Sequence, residues 1–188
     1  MVFQDPYASL NPRQSIGSII QEPLDIHQVG SKPERVRRVR ELMDVVALPA
    51  RYYDMYPHEL SGGLRQRVSI ATALALDPTL IVADEPVSAL DVSVQAQILD
   101  LFETIQRESG ISMLFISHDL GVVHQISDAV AVMRRGKIVE YGPVDQVYRN
   151  PQHVYTKVLL SAIPPADPIA AYEPLRLNAE GTEIEIDE

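Results

Sequence analysis

The sequence predicts an α/β fold with a parallel-sheet core, and three observations carry that expectation. Two short apolar runs, Leu80 to Ala83 and Ser112 to Ile116, each end at polar groups, Asp84-Glu85 and Ser117-His118-Asp119. Such runs are typical of buried parallel strands with functional groups at their C-terminal edges. Between them, Val94, Ile98, Leu101, Phe102 and Ile105 recur at helical spacing over about Val92 to Arg107. A helix of that length is the kind of crossover that parallel strands need.

The remaining elements follow in chain order. Gln4 to Pro12 is rich in turn formers and reads as a loop leaving a short strand. A short apolar helix is expected from Ser15 to Leu24. Ser31-Lys32-Pro33-Glu34 has capping-box spacing ahead of Val36, Val39, Leu42, Met43 and Val46, an amphipathic helix whose polar side carries Arg35, Arg37, Arg38 and Arg40. That side reads as a solvated face. Tyr52 to Pro57 marks a loop. Ser61 is placed to cap a helix through Arg67, Ile70, Ala73 and Leu76, which Pro78 ends. Beyond the second strand, Val130 to Met133 and Lys137 to Tyr141 read as strands around a turn at Arg134-Arg135-Gly136. Tyr155, Val158 and Leu159 are at helical spacing, and the acidic run Glu180, Glu183, Glu185, Asp187 and Glu188 reads as a solvated tail.

Composition removes several classes of function. The 188 residues contain no cysteine, which excludes disulfides, thiolate metal sites and thiol catalysis. No apolar run approaches the roughly 20 residues that span a bilayer, and Met1 to Asp5 has neither a basic nor an apolar signal-peptide region. Any membrane association is therefore expected to go through a partner. A net charge of −10 argues against nucleic acid as a ligand.

Two segments carry chemistry. Asp84 and Glu85 adjoin at a strand end, where neighbouring carboxylates repel unless a cation or water separates their tasks. Asp84 suits a role in holding Mg²⁺, and Glu85 suits orienting or deprotonating an attacking water. The pair equally fits an N-cap ahead of a helix beginning near Pro86. Leu60-Ser61-Gly62-Gly63 places a hydroxyl and two glycines at a helix start, where backbone N–H groups face an anion. An ordinary helix cap fits the same residues.

Together with Leu64-Arg65-Gln66-Arg67, these segments resemble the ATP-binding-cassette ATPases. Leu60 to Gly63 with Arg65-Gln66-Arg67 is similar to that family's signature motif, and Leu80 to Glu85 to its Walker B strand and catalytic glutamate. Ser88-Ala89-Leu90-Asp91 is similar to the D-loop, His118 to the switch histidine, and Gln4 to the Q-loop glutamine. The resemblance covers Met1 to about Pro165. It implies a partial P-loop NTPase fold with a helical signature subdomain. Residues 1–78 would hold the Q-loop, helical subdomain and signature; 79–145 the Walker B, D-loop and switch-histidine part; and 146–188 a C-terminal helix and acidic tail.

The resemblance also implies roles. Glu85 and His118 would be catalytic, with Gln4 and Asp84 on Mg²⁺. Ser61, Gly62, Gly63 and Gln66 would face ATP across a head-to-tail dimer, in which each signature serves the nucleotide of the other subunit. Asp91, grouped with these nucleotide-binding residues, would form contacts across that dimer interface. Asp91 also fits an N-cap, and a lone histidine after a strand is often a plain surface residue. The implied partners are a second ATPase subunit, identical or different, transmembrane permeases and, indirectly, a solute-binding protein. The implied place is the cytoplasmic face of the inner membrane. Phe3 to Arg13 and Asn150 to Pro164 resemble, more narrowly, bacterial dipeptide and oligopeptide importer ATPases. Related importers of glutathione, nickel or other solutes, a degenerate partner subunit and a non-transport ATPase remain open.

One family motif is missing from these residues. The only Gly-Lys pair, Gly136-Lys137, has Ala131 where a phosphate loop needs glycine and Ile138 where it needs a hydroxyl. The chain thus reads as the later portion of an ATPase domain, with an exposed sheet edge and face, and the 188 residues alone are expected not to hydrolyse ATP.

Overall fold

The computed structural model describes residues 1–163, 175–177 and 184–185. The chain forms two compact units, Met1–His118 and Asp119–Glu188. The expected division after residue 78 falls inside the first unit and that after residue 145 inside the second.

In the first unit, β1 (Leu80–Asp84) pairs in parallel with β2 (Ser112–Ile116), from Leu80 opposite Ser112 to Asp84 opposite Ile116. On the other side of β1, Val2 forms a parallel bridge to Ala83, its N–H donating to the Val82 carbonyl at 2.8 Å and its carbonyl accepting from Asp84 N–H at 2.9 Å. The opening residues thus leave a strand position, as their composition suggests.

One sheet face is closed. Ile81 and Ala83 are buried there, and Phe115 sits edge-on to the fully buried Phe102 of α5 (Val92–Ser109), with ring centroids 5.8 Å apart. The opposite face holds Leu80, Leu114 and Ile116, exposed by 53%, 53% and 44%. The expectation of a fully buried second strand is therefore corrected: β2 alternates between covered and open residues.

Helices complete this unit. The expected loop at 4–12 contains a single helical turn, α1 (Pro6–Ser9), because the Asp5 carboxylate accepts from Tyr7 N–H at 2.8 Å and Pro6 presets the first φ. Then come α2 (Ile16–Ile26) and α3 (Lys32–Val45), the latter begun by Ser31, whose N–H donates to Glu34 at 2.7 Å. The helix α4 (Gly62–Leu74), capped by Ser61, packs on α1, α2, α3 and α5. Arg67 of α4 donates to the Val46 carbonyl at 2.7 Å. Burial pushes its guanidinium below the ordinary value.

The second unit contains α6 (Leu120–Ile126), the antiparallel pair β3 (Ala129–Arg134) and β4 (Lys137–Pro143), α7 (Val144–Arg149) and α8 (Val154–Ser161). Short antiparallel strands β5 (Arg176–Leu177) and β6 (Ile184–Glu185) also pair. Arg135 and Gly136 turn the β3–β4 hairpin at φ values of 49° and 77°, a conformation that a glycine adopts without a Cβ penalty. Of the acidic tail, Glu180, Glu183, Asp187 and Glu188 lie outside the described residues, as does the Pro164 end of the C-terminal helix segment.

Glu140 of β4 ties the hairpin to α8, accepting from the backbone N–H groups of Gln152 at 2.7 Å and His153 at 3.0 Å. Partial burial raises its pKa, but the Gln152 N–H, the neighbouring Thr156 hydroxyl and the His153 N–H together outweigh that and hold it below the usual glutamate value. A carboxyl depressed by folding stabilises above its unfolded pKa of 4.5 and ceases to as pH falls through its lower folded value. Glu140→Gln is expected to loosen the start of α8 by about 0.5–1 kcal/mol at neutral pH. Acidification of the parent below pH 4.5 should do the same, and amide exchange at residues 152–156 would show both effects.

Candidate active site

Three candidate residues from distant parts of the sequence meet at the end of β1. The Gln4 amide nitrogen donates to Glu85 Oε2 at 2.9 Å, and His118 Nδ1 lies 3.1 Å from Glu85 Oε1. Both oxygens of one carboxylate are thus held from opposite sides. Glu85 is only 24% exposed, whereas His118 is 72% exposed and presents the rest of its ring to solvent.

The backbone at Glu85 is itself unusual. Its φ of 44° is left-handed, which costs a non-glycine residue about 1–3 kcal/mol, and such strain tends to sit at functional positions. The turn is secured by Glu85 N–H donating to the Ile116 carbonyl at 2.9 Å and by the Ser88 hydroxyl donating to the Glu85 carbonyl at 3.0 Å. No helix begins near Pro86; residues 85–90 form turns, and the helix starts at Val92. The acidic pair is therefore not a helix cap.

Asp84 lies beside this cluster, its carboxylate on the open face of the sheet that it shares with Leu114 and Ile116 through the strand register. Among the described residues no group of three or more His, Asp or Glu side chains forms a metal cage. Asp84 and the Gln4 amide oxygen offer two hard donors. That small set suits Mg²⁺, which keeps several waters and takes further ligands from substrate phosphates.

A second cluster lies at the start of α4. Ser61 and Gly62 are exposed, and Ser61 Oγ accepts from Leu64 N–H at 3.5 Å. Gly63 is buried because α5 crosses it closely: a Cβ at Gly63 would stand 2.4 Å from Val94 Cγ1, and one at Gly62 would stand 3.4 Å from the Leu90 side chain. Asp91 caps α5 through Val94 N–H at 3.0 Å and also accepts from the Ser93 hydroxyl at 2.7 Å. These bonds hold its carboxyl below the usual aspartate range, the Ser93 bond foremost. The cap reading of Asp91 holds, and its place beside the Gly62-Gly63 turn is compatible with an interface role.

Gln66 departs from expectation. Its side chain is 0% exposed and both amide atoms lack a hydrogen-bond partner, so it does not share the surface that Ser61 and Gly62 present. The reason is helical phase: Gln66 falls on the buried stripe of α4 with Gly63 and Ile70.

Gly63→Ala is expected to cost about 1–3 kcal/mol through overpacking against the stiff Val94 side chain. Adding Val94→Ala should recover most of that loss in a double-mutant unfolding cycle.

Comparison with known proteins decides what these clusters belong to. Residues 1–88 match a family model described as ABC transporter, and residues 139–185 match one described as oligopeptide/dipeptide transporter, C-terminal region. The chain belongs to the ATP-binding-cassette family. It is 57% identical over 89% of its length to the oligopeptide transport ATP-binding protein OppF of Bacillus subtilis. It is 51% identical over 96% of its length to the dipeptide transport ATP-binding protein DppF of Escherichia coli, and 56% identical over 89% to the glutathione import ATP-binding protein GsiA of Pectobacterium atrosepticum. The chain spans 55% of OppF, 54% of DppF and 27% of GsiA.

Among solved structures, cbiO1 from Clostridium perfringens, part of an ABC transporter complex, matches with TM-score 0.71 and 28% identity over 79% of this chain and 58% of that one. A dimeric ATP-binding cassette in a post-hydrolysis state with ADP and phosphate matches with TM-score 0.66 and 29% identity, over 76% of this chain and 62% of that one. The cassette fold expected from the resemblance is thus shown, as is the likeness to peptide-importer ATPases.

Proposed function

We propose that this chain supplies the hydrolytic cluster and signature turn of an ATPase subunit that drives import of peptides, working on the cytoplasmic face of the inner membrane. The observation that carries the proposal is the Glu85 carboxylate, fixed by Gln4 and His118 at a strained turn directly after Asp84. The names of the relatives support the cargo class.

In this reading Glu85 takes a proton from the water that attacks the γ-phosphate. His118 Nδ1–H holds the carboxylate in aim. The Nε2 edge of its ring is left to face the phosphate oxygens, and donates to them when the ring is protonated. Asp84 and the Gln4 amide oxygen would hold Mg²⁺, which when bound offsets the charge of the phosphates. Ser61 and the Gly62-Gly63 turn present a hydroxyl and helix N–H groups to nucleotide held by a second subunit.

The partners are that second ATPase subunit and membrane permeases, with a solute-binding protein acting through them. No helix among the described residues is long and apolar enough to cross a membrane.

The reading is tested in a cassette that joins this chain to a phosphate-loop segment, assembled with permease subunits in vesicles. Peptide delivered by the binding protein is expected to stimulate ATP hydrolysis. Stimulation by DNA or ribosomes instead, with no response to permease or peptide, would overturn it.

A further inference from the structure

The segment that carries Gln4 also carries a second contact. Gln4 reaches Glu85, while Tyr7 places its ring under the guanidinium of Arg65 in α4, 5.0 Å from the ring centroid. We propose that Tyr7 is a positioning residue, a clamp on Arg65 that sets the Ser61–Gly63 turn relative to the Gln4–Glu85 pair. Its functional consequence rests on the ATPase reading given above.

Both ends of the clamp are fixed. The Asp5 carboxylate accepts from the N–H groups of Tyr7 at 2.8 Å and Ala8 at 3.3 Å, and Pro6 is buried at the first helical position, so the Tyr7 backbone is preset. Arg65 Nε donates to the Pro57 carbonyl at 2.7 Å, which holds the plane of its guanidinium. Arg65 N–H also bonds the carbonyl of Ser61, so a displacement of Arg65 is passed to the cap residue through a single helical turn. Tyr7 is 62% exposed, so core burial does not explain where it sits. The contact uses the ring face of Tyr7, so phenylalanine should serve as well.

Hydrogen exchange on the chain tests the clamp. Tyr7→Ala is expected to raise exchange at the amides of residues 64–66 about two- to five-fold, the loosening that loss of one exposed cation–π contact allows. Tyr7→Phe should match the parent, and amides 98–102 of α5 should stay unchanged in both variants. Unchanged exchange at 64–66 in Tyr7→Ala, an equal rise in α5, or a Tyr7→Phe result like that of Tyr7→Ala would each overturn the clamp.

In the cassette that carries a phosphate loop, Tyr7→Ala should lower kcat roughly two- to five-fold at constant KM for ATP. Full kcat with raised exchange would overturn the coupling role. A parent cassette without turnover would count against the ATPase reading instead, and the exchange result would still decide the clamp.

Discussion

Glu85→Gln, in a cassette supplied with a phosphate loop, is expected to lower ATP turnover about 10²–10⁴-fold, the usual worth of a positioned general base. ATP affinity should stay within roughly two-fold, because the change removes a proton acceptor without removing a phosphate contact. The amide is nearly isosteric and keeps an oxygen for one of its two neighbours, so the turn at φ 44° should survive. Radiolabelled ATP binding beside single-turnover hydrolysis separates the two effects. A variant that loses binding and turnover together would show that Glu85 acts by holding the site's shape.

Phe102→Ala is the substitution with the largest expected effect on stability. The ring is fully buried and meets Phe115 at 87°, joining α5 to the covered face of β1 and β2. Removing it leaves a cavity and ends the ring pair, a loss of about 3–5 kcal/mol from a fold whose whole stability is about 5–15 kcal/mol. For a chain of this size the melting temperature should fall by roughly 6–20 °C. Calorimetry or thermal circular dichroism would measure it, and a fall of under one degree would mean that the α5–sheet contact is not a core contact.

How much was legible from sequence depends on whether the signal was local. Apolar run length and cap chemistry are local, so β1, α5 and the Ser61 cap could be read directly from their residues. The helix α1 was hidden because Pro6, Asn11 and Pro12 read as a loop, while one carboxylate at Asp5 is enough to nucleate a single turn. The helix α6 was missed because its seven residues are too few to show a period.

In the site, Gln4, Glu85 and His118 were pointed to by the likeness of their segments to the cassette family's motifs. No pattern in the chain says that the first and last hold opposite oxygens of the middle one. The positive φ at Glu85 is equally invisible, since glutamate does not favour it. Gln66 was misplaced because a motif names residues without their helical phase. The pairing of Tyr7 with Arg65 depends on how α1 docks on α4, a tertiary outcome that neither segment signals by itself.

The most direct test of the central claim, that Glu85 acts on nucleotide of its own subunit and Ser61 on nucleotide of a partner, uses mixed dimers of the phosphate-loop cassette. One dimer carries Glu85→Gln and Ser61→Arg in the same subunit opposite a parent subunit; the other carries one substitution in each. The account predicts that the divided dimer hydrolyses ATP, because one composite site stays intact, while the dimer with both changes in one subunit is dead. Turnover by the latter and silence of the former would contradict it.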